Sequence, residues 1–515
     1  MQSRPSSPGP AGGQAGLVAS GALTQQAAQF TGLLVLLAIV TALARRLSLP
    51  ELGAYGLMST LAVYLLILKN SISNSALRTM VSARDDRERV AAFSTCVAFY
   101  AAVGIATGVL IVGVGFGISA LVLDGGLEAE AQRGALLLAA LTAVGLAASV
   151  NLDAIRAALL LTRSAANEIA ALVVFAGLML GLIAADAPLW VLIGASGSIP
   201  VVSGTINAVA KRALGLPFRF DRHAIDREQA GKVLPTAGYV LILELSNVVI
   251  YGLDRVVLGV FASVGALGLY EGPVRAHNVL YALSQAFGLT SLPMAARYAE
   301  DGDRSRLREL VVRGSRYTLA LTVPLVVTLM VLAAPTLELW LGEGYRDGAG
   351  ALAIMTSYWL LYGQLALTPN FLVGAGRARE LARLLSVVAL ANLALSIALT
   401  PVVGVEGPAL GTAIPFVVAA PLVLRLSLGV SGATVAELAR QAWLPAYGLG
   451  ALLAGALALV EAVVGIDSLA GLVAALVAGP LAYWLAYGLL VLSPGERALV
   501  RQVARGYLPL RSASP

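Results

Sequence analysis

Long apolar runs alternate with short polar turns along almost the whole chain. Gly32 to Leu43, Val103 to Val114 and Ala446 to Val460 contain no charge, and each lies in a stretch long enough to cross a hydrocarbon core about 30 Å thick. Transmembrane strands would show roughly ten-residue alternation, whereas these runs are continuous, so helices are the spanning elements. The pattern predicts spans at Leu17 to Leu43, Leu52 to Leu68, Val90 to Ile118, Gly134 to Leu159, Ala166 to Ala185 and Pro188 to Ala210. After a polar stretch come Thr236 to Leu258, Val264 to Leu292, Thr318 to Leu339, Ala349 to Leu372, Leu381 to Val402 and Pro408 to Leu428. Trp443 to Val464 and Leu469 to Leu492 complete an all-α polytopic chain of about fourteen transmembrane helices.

Composition agrees. Of 515 residues, 58% are hydrophobic and 12% charged, roughly half the charge of an ordinary soluble domain, and the mean hydropathy is +0.84. The net charge of +6 is scattered between spans and does not form one patch interleaved with aromatics, so no nucleic-acid partner is expected. Topology explains the charge instead. With the N-terminus inside, the inner connections hold Arg84, Arg87 and Arg89, then Lys211 through Lys232, then Arg304, Arg306, Arg308 and Arg313, then Arg377 and Arg379, then Arg497, Arg501 and Arg505. Arg45, Arg46, Arg133, Arg255 and Arg346 fall outside. The excess predicts a multi-pass protein of the cytoplasmic (inner) membrane with both termini cytoplasmic. One cysteine, Cys96, and two histidines, His223 and His277, exclude an intramolecular disulfide and argue against a structural zinc. No metal and no cofactor is expected.

The chain divides into a disordered cytoplasmic tail at 1–15, an N-lobe of helices one to six at 16–210 and a cytoplasmic connection at 211–235. A C-lobe of helices seven to twelve at 236–428, helices thirteen and fourteen at 429–493, and a basic cytoplasmic tail at 494–515 follow. Leu52-Gly53-Ala54-Tyr55 is echoed six helices later by Leu267-Gly268-Leu269-Tyr270, as expected for two parallel six-helix halves with two added helices. The outside loops are short, the longest being Ser119 to Arg133. They leave no room for the catalytic domain of a polytopic glycosyltransferase, so the chain is not expected to be an enzyme. Asp124, Glu128 and Glu130 in that loop read as a solvated connection.

Ionisable groups within spans are costly, and each marks a candidate functional position. On the seventh span Glu244, Asn247, Tyr251 and Asp254 share one face; on the eighth, Glu271, Arg275, Asn278 and Gln285 do so. These stripes line a water-filled substrate cavity or act as interhelical glue, with Arg275 paired to Glu271 or Asp254. Gly272 and Pro273 are potential breakers that would take Glu271 off its stripe. His277 lies roughly 200° around the helix from Arg275 and points away from the stripe. Near the end of the second span, Asn70, Asn74 and Arg78 share a face beside Lys69, forming a cationic mouth or a set of snorkelling anchors. Asp153, Arg156 and Glu168 read as a structural ion-pair group. Pro324, Pro369, Pro415 and Pro421 are expected to bend their helices. Lys211 to Val233 and Ala433 to Trp443 look amphipathic and are expected on the inner leaflet.

Four stretches carry a family resemblance. Leu49-Pro50-Glu51-Leu52-Gly53-Ala54-Tyr55 resembles the first external turn of the oligosaccharide flippase branch of the multidrug/oligosaccharidyl-lipid/polysaccharide exporter superfamily. Asp254-Arg255-Val256-Val257-Leu258-Gly259-Val260-Phe261 with Gly268-Leu269-Tyr270 is similar to its turn between helices seven and eight. Leu341-Gly342-Glu343-Gly344-Tyr345 resembles the segment after helix nine, and Gly404-Val405-Glu406-Gly407-Pro408-Ala409-Leu410-Gly411-Thr412 the turn between helices eleven and twelve. The resemblance implies a MATE-like, two-lobed alternating-access transporter that flips a polyprenyl-pyrophosphate-linked oligosaccharide for cell-surface polysaccharide biosynthesis. Its implied partners are that lipid-linked oligosaccharide, membrane lipids, and a polymerase or glycosyltransferases of the same pathway. The chain departs from the family's cationic lumen by placing Glu244, Glu271 and Asp254 beside few basic residues. A cation-coupled multidrug exporter of the same superfamily is therefore the alternative.

Overall fold

The computed structural model describes residues 11–226, 250, 252–365 and 367–498, and no β-strand occurs among them. Six long helices come first: α1 (Ala11–Arg46), α2 (Leu49–Ser82), α3 (Asp86–Val122), α4 (Gly125–Ala157), α5 (Leu161–Ala184) and α6 (Leu189–Ala213). Then come α7 (252–261), α8 (Val264–Glu300), α9 (Arg304–Val331) and the short α10 (Ala333–Leu341). The predicted tenth span is divided into α11 (Ala349–Ser357), α12 (Trp359–Tyr362) and α13 (Thr368–Gly374). The chain continues through α14 (Ala378–Val403), α15 (Glu406–Ser431), α16 (Val435–Val463) and α17 (Leu469–Leu490).

Ten helices are long and apolar enough to cross a membrane among the described residues. The other predicted spans fall on α2, on α8, on the divided 349–374 segment, and on residues 236–258, most of which lie outside the described residues. Exposed apolar side chains show the same thing from the other direction: Leu452 is 71% exposed and Leu485 67%. Water would penalise such surfaces and lipid does not.

Polar side chains set the helix starts. Asp85 accepts from the Glu88 N–H at 2.8 Å to open α3, and Asp303 from the Arg306 N–H at 3.1 Å to open α9. Thr434 and Glu437 form a reciprocal cap on α16. The stretch Ala433 to Trp443, expected to lie on a leaflet, is instead largely the opening of that helix, because this cap and the Arg308–Glu437 ion pair hold it in line. Of the interior prolines, Pro324, Pro415 and Pro421 sit inside continuous helices, whereas Pro369 opens α13 after the interruption at 363–365.

Contacts divide the chain into two compact units, Met1–Glu271 and Gly272–Pro515. In the first, α4 packs against α2, α3 and α6, and α1 against α5. Asp153 of α4 takes hydrogen bonds from Ser73 at 2.6 Å and Tyr100 at 2.7 Å, while Arg156 pairs with Glu168 at 3.2 Å. The expected polar group thus separates into a three-helix knot and one ion pair. Glu130, read from the sequence as part of a solvated connection, instead lies in α4, accepts from the Trp190 N–H at 3.0 Å and anchors the start of α6. In the second unit, α16 and α17 pack on α9, and Val323, Leu453, Leu457 and Tyr483 share one core. Beyond α17, Glu496 meets Arg316 at 3.1 Å and Tyr317 at 2.8 Å. Burial raises the Glu496 carboxyl, but hydrogen bonds from Ser493 and Tyr317 and the Arg316 charge together bring it down to about 2. This brace is complete above the ordinary carboxylate range and is lost as pH falls toward that value.

The expected tail at 1–15 lies outside the described residues as far as residue 10, and α1 begins at Ala11. The basic tail at 494–515 is described only to residue 498.

Candidate functional site

The first motif stretch is a helix start followed by a crossing point. The Glu51 carboxylate accepts from the Ser48 N–H at 2.8 Å, and Pro50 sits in the first turn of α2, where no N–H is needed. Gly53 then faces α8. A Cβ on Gly53 would lie 2.5 Å from the Val264 carbonyl oxygen and 2.9 Å from the Gly268 nitrogen, and one on Gly268 would lie 1.9 Å from the Leu49 oxygen. Only glycine lets the two backbones meet this closely. The echoed sequences Leu52-Gly53-Ala54-Tyr55 and Leu267-Gly268-Leu269-Tyr270 are therefore the two sides of one helix crossing.

Gly56, one turn further along α2, makes room for Glu271, whose Oε1 would be 2.2 Å from a Cβ there. That carboxylate accepts from Arg255 Nε at 2.5 Å, with both side chains almost fully buried. Asp254 accepts from the Tyr270 hydroxyl at 2.9 Å. Successive residues of α7 thus meet successive residues of α8, because the turn at 262–263 folds one helix back on the other. Buried charges persist only when paired and hydrogen-bonded, and these groups satisfy one another.

The predicted site residues are placed as follows. Asp254 and Glu271 belong to this knot. Arg275 and Asn278 lie half-buried further along α8, and Gln285 is on the same helix. Glu244, Asn247 and Tyr251 lie outside the described residues. Asn74 is on α2, and Arg78 is exposed one turn beyond it; Asn70 and Lys69 are on the same helix. The helix runs unbroken through Gly272 and Pro273, so Glu271 stays on its stripe. Gly272 serves packing there: a Cβ would come within 2.7 Å of Leu341 and 2.9 Å of Leu337. His277 is buried, its Nε2 accepting from Trp359 Nε1 at 2.9 Å and lying 2.8 Å from the Tyr358 hydroxyl. Because the tryptophan can only donate, Nε2 carries no proton.

Arg255 is the residue that sequence reasoning misplaced. Counted among the external charges, it is 3% exposed and neutralised inside the fold. The available signal was the matched order of Asp254-Arg255 and Tyr270-Glu271 on either side of a short turn, opposite two glycines of α2. The other motif stretches also resolve into backbone geometry. Gly404, at φ +64°, turns α14 into α15, and Gly411 lies so close to α14 that a Cβ would be 2.2 Å from the Ser396 hydroxyl.

Known structures share this architecture. The lipid II flippase MurJ, in an inward closed conformation, matches with a TM-score of 0.68 at 15% identity, over 94% of this chain and 100% of that one. An inward-facing multidrug resistance MATE family transporter of the MOP superfamily matches at 0.63 and 15%, over 80% of this chain and 98% of its own. A MOP superfamily transporter from Pyrococcus furiosus matches at 0.54 and 13%, over 81% and 96%. The class defined by the fold is the all-α polytopic membrane architecture that these structures share. Residues 42–349 match the family described as Polysaccharide biosynthesis protein, and the chain belongs to that family. No curated relative matches it at the sequence level.

Proposed function

We propose that the chain is a flippase that carries a polyprenyl-pyrophosphate-linked oligosaccharide across the cytoplasmic membrane by alternating access, for cell-surface polysaccharide biosynthesis. The observation that carries this reading is the polysaccharide-biosynthesis family match over residues 42–349, on a fold shared along the whole length of a lipid II flippase. A pyrophosphate-linked sugar cannot cross hydrocarbon unaided and needs polar walls with positive charge. The proposed lobes are 16–210 and 236–428, helices thirteen and fourteen being an addition, and both termini and the 211–235 connection are assigned to the cytoplasm by the arginine bias. A polymerase or glycosyltransferases of the pathway are the proposed protein partners. The cation-coupled exporter reading loses support because Asp254 and Glu271 are already bonded to Tyr270 and Arg255.

Arg275 is the cation assigned to the substrate. An arginine within a span costs at least about 2.5 to 3.5 kcal/mol on insertion scales, which marks Arg275 as a functional candidate. Guanidinium matches phosphate by paired hydrogen bonds. In a deletion strain complemented with variants, Arg275→Lys is expected to keep part of the surface glycan and Arg275→Gln to lose most of it. Wild-type glycan from normally expressed Arg275→Gln would refute the assignment. Loss of folded protein in Arg275→Gln, with glycan falling only in proportion, would identify a structural role in place of a substrate contact.

A further inference from the structure

One cleft has the chemistry of an anion site and lies apart from the α7–α8 knot. It opens where α6 ends, has a volume of about 670 Å³, and is walled by α3, α4, α6 and the segment 215–220. Its cations are Lys211, Arg212 and Arg219, its aromatic walls Phe93, Phe218 and Phe220, and no carboxylate lines it. Ala147, Ala148 and Asn151 of α4 form the back wall, where small side chains leave the space open.

The cleft is a fixed feature and not a gap beneath a loose loop. The Ser94 hydroxyl accepts from the Asp221 N–H at 2.8 Å, Thr95 accepts from the Asp226 N–H at 2.9 Å, and the Phe93 and Phe218 rings meet at 6.2 Å. Asp221, the nearest acid along the chain, caps the His223 N–H at 2.9 Å.

Lys211 is the decisive residue. It is 9% exposed, its Nζ lies 3.8 Å over the Phe93 ring, and it forms no ion pair with a carboxylate among the described residues. A buried ammonium that meets a ring and no carboxylate among the described residues is incompletely compensated by them. Arg212 and Arg219 stand exposed beside it, and neither pairs with an acid among the described residues. Phe220 is 56% exposed next to Arg219. An aromatic side chain beside cations at the end of a membrane helix is an interfacial arrangement.

We propose that this cleft binds a phosphate-bearing anion, and that its occupant is the headgroup of an acidic phospholipid. Lys211, Arg212 and Arg219 neutralise the phosphate while Phe220 and the apolar rim meet the acyl chains. Free phosphate shares the headgroup's charge but would gain nothing from the exposed aromatic.

The test measures thermal stabilisation of the purified full-length protein in detergent by phosphatidylglycerol, phosphatidylcholine and inorganic phosphate, each titrated alone. Phosphatidylglycerol is expected to raise Tm at much lower concentration than phosphatidylcholine, and inorganic phosphate to have little effect. Arg212→Gln/Arg219→Gln changes two exposed side chains and leaves the fold intact. Each basic residue at an anionic surface contributes about fivefold in affinity, so this variant is expected to shift the phosphatidylglycerol titration on the order of twentyfold. Lys211→Gln added to it should weaken the response further, and Arg133→Gln near the opposite end of α4 should leave it unchanged. An unshifted titration in the double variant, or equal responses to the two lipids in the wild type, would overturn the proposal. Stabilisation by inorganic phosphate equal to that by phosphatidylglycerol would make the occupant a free anion and overturn the lipid assignment.

Discussion

Replacing Glu271 by alanine is expected to remove about 3–5 kcal/mol of stability, enough to leave little folded protein in the membrane. The loss comes from the partner left behind. Arg255 is almost fully buried and donates to Glu271 at 2.5 Å, and a charge so enclosed by protein has no solvent to take over its neutralisation. Arg255→Gln should cost a similar amount through the stranded carboxylate. A double replacement, Arg255→Met with Glu271→Met, removes both charges together, and buried pairs exchanged this way are often neutral or stabilising. Thermal unfolding of the purified variants in detergent checks both parts. Single variants melting with the wild type would show that the pair contributes nothing to the fold.

Gly268→Ala is expected to have the other large effect. Its added methyl would sit 1.9 Å from the Leu49 carbonyl oxygen and 2.6 Å from the carbonyl carbon. The obstacle is backbone, so no side chain can swing aside; the start of α2 must move off α8. Overpacking typically costs 1–3 kcal/mol, occasionally more, and a backbone clash belongs at the upper end of about 3 kcal/mol. Gly53→Ala meets the Val264 oxygen at 2.5 Å and should cost less. Gly455→Ala is the comparison, because nothing lies within 4 Å of the added methyl on α16. It should be neutral or slightly stabilising, as alanine favours helix over glycine by up to about 1 kcal/mol. Equal melting temperatures for Gly268→Ala and Gly455→Ala would mean that α2 and α8 do not cross as closely as described.

The spans were legible because lipid makes a strong demand on sequence: uncharged runs of sufficient length announce themselves whatever they pack against. Helix ends were less legible. The second span reads as Leu52 to Leu68, yet α2 runs Leu49–Ser82, since a helix continues past the apolar window wherever polar residues can reach solvent or neighbours. The glycine echo was visible as a repeat, but that its two copies meet each other was not, because the approach depends on atoms 215 positions apart in the chain, from Gly53 to Gly268. Arg255 shows the main failure. Counting charges by loop places it at the surface, and only the return of α8 alongside α7 brings Glu271 to it. The stripe on α8 was legible as a helical spacing, whereas the partition of its members between fold and substrate required knowing which were already paired. The cleft beside Lys211 escaped notice for a related reason. Phe218-Arg219-Phe220 reads as part of an amphipathic connection until Ser94 and Thr95 are seen to fasten it against α3.

The proposed transport of a lipid-linked oligosaccharide is tested by mass spectrometry of the lipid extract from a strain lacking this gene. Blocking the flip of a polyprenyl-pyrophosphate oligosaccharide strands the completed unit on its carrier, so a lipid-linked oligosaccharide absent from the parent strain should accumulate and disappear on complementation. The mass would identify the sugar and the lipid together. An extract indistinguishable from that of the parent, with surface glycan intact, would contradict the flippase reading and favour an exporter of soluble compounds on the same fold.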